Sequence, residues 1–222
     1  MRTRFPALFF HPMTTQRVIT LLAGVAAWAC NADTTQPRPP SDLVVSGGDA
    51  QSWYFDNPLP VPLSVIAVDP GGEPVAGVVV TWSVAQGDGA VSPAQSTTNA
   101  NGVASTIDSI GSSTLQRVSA SFPGLANAAA FTEVASTPPT SGAVDVKDNF
   151  FSPQTVVIQE GGAITWTFAG AIAHTVTFSG GPDSGTPQSS GTFGPVTFTP
   201  AGTKSYHCKV HGSMTGTVTV VH

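Results

Sequence analysis

Apolar and polar residues alternate in short runs along most of this chain. No long stretch repeats the i, i+3, i+4, i+7 apolar spacing of an amphipathic helix. "PLSVIAVD" (62–69) is one such run, closed by the turn "PGGEP" (70–74). "VVVTWSV" (78–84) puts Val80, Trp82 and Val84 on one face and Thr81 and Ser83 on the other, as a half-buried strand requires. Further turns are written in "GDGAVSP", "NANG" and "SFPG". After residue 142 the alternation resumes. Ile164, Trp166 and Phe168 share a face, as do His174, Val176 and Phe178, then Tyr206 and Cys208, then Val218 and Val220. Many short strands at this spacing predict an all-β chain of two β-sandwich domains in tandem.

Two polar, proline-rich stretches divide the chain. "NADTTQPRPP" (31–40) reads as a tether, and "STPPTSG" (136–142) as a connector. The expected organisation is a leader over 1–29, a tether over 30–41, one sandwich over 42–135, a linker over 136–142 and a second sandwich over 143–222.

The leader has Arg2, Arg4 and Arg17 ahead of the apolar run "VITLLAGVAAWA" (18–29). That run is shorter than the ~20 residues a bilayer span needs, but it suits an export signal. Translation could equally start at Met13. "AAWACNAD" resembles a bacterial lipoprotein signal, with Cys30 as the residue that receives lipid; Trp28 departs from that pattern. The resemblance implies a lipid-anchored protein of the periplasm or cell envelope, with Asn31 favouring the outer membrane.

Composition then narrows the function. The chain of 222 residues has a formal net charge of −5 and only 9% charged residues, with no basic patch, which argues against nucleic acid as a partner. Eight acidic residues (Asp42, Asp49, Asp56, Asp69, Glu73, Asp88, Asp108 and Glu133) fall in the first sandwich, scattered as a solvated surface would be. That segment has no His and no Cys. With Cys30 acylated, Cys208 has no partner in the chain. An exported lone thiol then calls for an occupant.

The occupant is suggested by "YHCKVHGSM" (206–214). Cys208, His211 and Met214 stand three apart on one short loop, and His174 supplies a second imidazole. Two His, one Cys and a weak Met make the donor set of blue-copper sites; zinc would gain little from the thioether. His207 points to the opposite face from Cys208 and is left out of the set. His222 and the stretch 179–191 are expected to be unstructured.

Two resemblances support this reading. Residues 42–135 resemble the immunoglobulin-like domains of bacterial invasins and intimins, which implies a fold and no chemistry. Residues 142–222 resemble the cupredoxins, nearest in loop spacing to amicyanin within the plastocyanin-like group. The strings "DNFFSPQTVVIQEGGAITWTF", "AHTVTF", "SGTF" and "FTPAGTKSYHCKVHGSMTGTVTV" carry it. It implies a Greek-key sandwich and one type 1 copper on His174, Cys208, His211 and Met214. Ala173, Thr175 and Val210 stand where the family commonly has Pro, Asn and Pro. The N–H that Val210 retains is a candidate donor to the Cys208 sulfur.

Four protein ligands leave no open metal position, so an electron carrier is expected rather than an enzyme. The family implies electron exchange through the His211 edge with a redox protein such as a c-type cytochrome or a terminal reductase or oxidase. Two alternatives use other features. A copper storage or delivery protein would exchange its metal readily. A surface adhesion protein would act through the first sandwich and survive Cys208→Ser.

Overall fold

The computed structural model describes residues 38–222, so the leader, Cys30 and most of the tether lie outside the described residues. Strand and turn make up those residues, with no helix among them. The strands form four sheets, paired face to face as two sandwiches, which is the fold class the alternation predicts.

In the first sandwich one sheet is ordered β1 (Asp42–Gly47), β3 (Leu63–Val68), β7 (Val103–Ser109) and β5 (Ala90–Ser92). The other is ordered β2 (Ser52–Tyr54), β9 (Ala129–Ser136), β8 (Leu115–Ser121), β4 (Val79–Gln86) and β6 (Gln95–Thr97). Period-2 patterning decides what is buried. Leu63, Val65 and Ala67 of β3 face Val80 and Trp82 of β4 across a core that includes Val118 and Phe131. Thr81 and Ser83 point away from it.

The acidic residues of this sandwich depart from expectation. Asp108 and Glu133 are not solvated but fully buried. Gln116 and Glu133 are direct partners across β8 and β9. Gln116 donates from Nε2 to Oδ1 of Asp108 on the opposite sheet at 2.6 Å. Both oxygens of Glu133 and Oδ2 of Asp108 have no hydrogen-bond partner. Burial, then the charges of Asp108 and Asp49, push the Glu133 carboxyl up to about 8.

In the second sandwich one sheet is ordered β11 (Phe150–Ser152), β10 (Ser141–Lys147), β13 (Ala163–Phe168) and β15 (Thr192–Thr197). The other is ordered β12 (Thr155–Gln159), β17 (Thr215–Val221), β16 (Gly202–His207) and β14 (Thr177–Phe178). The chain crosses repeatedly between them, so β10 pairs β13 and β12 pairs β17 in parallel. Only residues 137–140 separate β9 from β10.

The core of this sandwich is aromatic. The Trp166 ring meets Phe178, Phe198 and Tyr206 edge to face at 5.7, 6.2 and 5.4 Å, a geometry that suits the ring quadrupoles. Gly216 lies opposite Tyr206 in the β16–β17 register. A side chain at 216 would collide with that ring. The pattern thus anchors one end of the strand that delivers Cys208.

His222 is ordered, contrary to expectation. Its N–H donates to Asn57 Oδ1 at 2.9 Å and its carbonyl accepts from Asn57 Nδ2 at 3.1 Å. The buried Asn57 thereby ties β17 to the first sandwich.

Candidate metal centre

Cys208 directly follows β16, and His174 lies three residues before β14, the strand paired with β16. Their alternation places Tyr206 and Cys208 inward and His207 outward, as read from the sequence. The strand around His174 is different. Thr175 and Thr177 are buried along with His174, Val176 and Phe178. Residues 182–188 pair along the edge of that strand. His174 and Gln188 exchange two backbone hydrogen bonds of 2.9 Å, and Ser184 N–H donates to the Val176 carbonyl at 2.9 Å. The stretch 179–191 is therefore not a loose connection; part of it clamps the first histidine.

The ligand loop is closed by its own backbone. Cys208 N–H donates to the Met214 carbonyl at 3.0 Å, and Met214 N–H to the His211 carbonyl at 2.9 Å. This brings together His174, Cys208 and His211, whose ligand atoms all lie within 4.8 Å of one another. The two Nδ1 atoms are 3.0 Å apart. The Cys208 sulfur is 3.8 Å from Nδ1 of His174 and 3.6 Å from Nδ1 of His211. Met214 is buried in the same hydrophobic cluster as Cys208.

The triangle can be tested against a metal. With about 2.3 Å to sulfur and about 2.0 Å to nitrogen, trigonal ligation sets sulfur and nitrogen ~3.7 Å apart. Both sulfur edges match that separation. The nitrogen edge is shorter than ~3.5 Å, the value for a flat trigonal arrangement at the same bond length, so the angle between the imidazoles would be narrower. The donor set of thiol and two imidazoles, gathered within 4.8 Å, fits copper.

Three features hold the triangle. Thr175 N–H points at the Cys208 sulfur at 3.4 Å, with the Thr175 hydroxyl at 4.0 Å. Among the described residues Val210 makes no such bond, so the backbone donor to sulfur is Thr175 and not Val210. The Thr175 hydroxyl accepts from Lys209 N–H at 2.9 Å and so joins the two ligand segments. Lys209 also pairs with Asp183, whose carboxyl this contact holds below the usual range. Finally, Nε2 of His174 faces Asp148 Oδ1 at 3.4 Å. Sequence reading missed Asp148, which looks like one more turn acid in "KDNFF".

Exposure is uneven. His174 and Cys208 are fully buried, and His211 is half-buried. Ile172 and Val210 are exposed, as are Ala171, Ala173 and Gly212.

No protein-family model matches the chain, and no curated protein does either. Among solved structures it is similar to a fern plastocyanin mutant, at 25% identity over 36% of this chain and 99% of that one, with a TM-score of 0.32. A reduced amicyanin mutant matches at 29% identity over 36% of this chain and 82% of that one, TM-score 0.30. The D0-D1 domain of intimin matches at 16% identity over 81% of this chain and 95% of that one, TM-score 0.36. The assignment of a metal rests on the donor atoms themselves.

Proposed function

We propose that this chain is an exported blue-copper protein that carries single electrons, with one copper on His174, Cys208, His211 and Met214. The observation that supports it best is the convergence of two Nδ1 atoms and one sulfur in a pocket where only His211 reaches the surface. Bound copper would supply a one-electron couple between its two oxidation states.

The protein's part is to hold those donors still. The backbone-closed loop fixes Cys208 and His211, and the clamp at Gln188 fixes His174. Donors held in one place in both oxidation states leave little to reorganise when an electron arrives. The buried sulfur is kept from water, and Thr175 N–H offsets part of the negative charge on it. Met214 would complete the set, leaving no position for a substrate. That is why the reading is a carrier and not an enzyme.

The half-buried His211 edge, beside exposed Ile172 and Val210, would be the contact for a redox protein such as a c-type cytochrome or terminal reductase. Charge in this sandwich is sparse, which suits brief apolar contact over strong steering. Tethering through Cys30 at the outer membrane completes the proposal.

Cu(II) added to the purified metal-free full-length chain is the test. An intense blue band with narrow copper hyperfine splitting is expected. A pale solution with wide splitting would show that the thiolate is not a ligand and would overturn the reading.

A further inference from the structure

We propose that Asp148 is a positioning residue for His174, whose fixed negative charge makes that imidazole the more electron-rich of the two and favours oxidised copper. The inference rests on the copper reading above.

The geometry is that of a carboxylate placed behind a ligand. With Nδ1 of His174 turned to the cluster, Nε2 is the nitrogen left to carry a proton, and it faces Asp148 Oδ1 at 3.4 Å. That is longer than a relaxed N–H···O bond, so charge matters more here than a tight hydrogen bond. Carboxylates behind ligating histidines fix ring orientation and raise ligand basicity. His211 has no such support; among the described residues no side chain meets its Nε2. The two imidazoles are therefore unequal.

Asp148 is held for this role by two backbone N–H groups. Oδ2 accepts from Ala171 N–H at 3.1 Å and Oδ1 from Ile172 N–H at 3.0 Å. Both belong to the segment leading into His174, so one carboxylate sets the approach of the chain and the ring together. Asn149, next in sequence, takes φ 70°, a left-handed conformation that Asn tolerates better than most residues, in the two-residue turn that joins β10 to β11. Gly170 leaves the room, since a side chain there would run into Asp148 Oδ1.

Two substitutions separate charge from shape. Asp148→Asn keeps an oxygen for the loop amides and removes the charge. Gly170→Ala keeps the charge and crowds it out of place. Each is expected to retain the blue band and raise the midpoint potential. The expected change is about tenfold in the ratio of oxidised to reduced copper affinity, or about 59 mV for one electron. Asp145→Asn, on an exposed carboxylate paired with Lys147, is the control. A band retained with midpoints no different from that control would overturn the proposal.

A second readout needs no metal. In the metal-free chain, the Nε2 proton of His174 should exchange slowly by nuclear magnetic resonance and quickly in Asp148→Ala. Equal exchange in both would refute the contact. If the wild type gives no blue band but this difference appears, the copper reading falls while the Asp148–His174 contact stands.

Discussion

Each sandwich hides a polar cluster in its interior, and the two are built to opposite effect. In the second, two imidazole nitrogens and a thiol sulfur lie within 4.8 Å of one another, and one of the three residues reaches the surface. In the first, Asp108 and Glu133 are buried with only Gln116 offering a side-chain hydrogen bond, and three carboxylate oxygens are left unpartnered. Burial of polar atoms is common to both. Convergence, matched donor softness and an opening to solvent belong to one alone. An unpaired carboxylate in a sheet interior is costly unless a proton neutralises it.

Three measurements sharpen or break this contrast. The largest effect is expected from Cys208→Ser, which should abolish the blue band entirely while both sandwiches stay folded; an undiminished band would remove sulfur from the site. Next is Glu133→Gln. Its carboxyl titrates near 8 in the folded chain against 4.5 when unperturbed, so the folded state holds a proton that the unfolded state releases. The first sandwich should be most stable below about pH 4.5 and lose stability as pH rises to about 8. Glu133→Gln should remove that slope and stabilise the protein by more than about 2 kcal/mol at pH 9, with little change at pH 4. Parallel melting curves of wild type and variant at all pH values would show that the burial matters less than drawn. The smallest effect is expected at Thr175→Ala. Losing the hydroxyl between Lys209 and Thr175 should cost about 1 kcal/mol and keep the blue band, because the Thr175 amide to sulfur is backbone. Loss of the band would mean that the hydroxyl holds the ligand loop.

The contrast also marks what could be read from the sequence. Strand faces were legible because period 2 is local. Trp166, Tyr206 and Cys208 point inward, and His207 outward, as the alternation says. The His174–Cys208–His211 cluster was legible because two of its three members, Cys208 and His211, sit on one short loop. What escaped reading depends on pairs far apart in sequence. Asp108 and Glu133 look like surface acids until β7 and β9 bring them into one interior. Gln188 looks like loop filler until its backbone meets His174. Asp148 gains a role only when the 169–173 segment folds over it. The sequence offers the nearby Val210 N–H as a candidate donor to the Cys208 sulfur, whereas the fold delivers the Thr175 N–H, from 33 residues away.

The uneven exposure of the two histidines has a kinetic consequence. His174 is fully buried with its backbone paired to Gln188, and His211 is the one member of the cluster that reaches the surface. In the proposed role, a carrier with a single doorway could not stand between donor and acceptor as a wire does. It must meet one partner, part from it, and only then meet the other. Turnover would then follow ping-pong kinetics, and the two partners would compete for one small patch. Each electron delivered would then require the carrier to travel, so the pace would be that of its passage between partners.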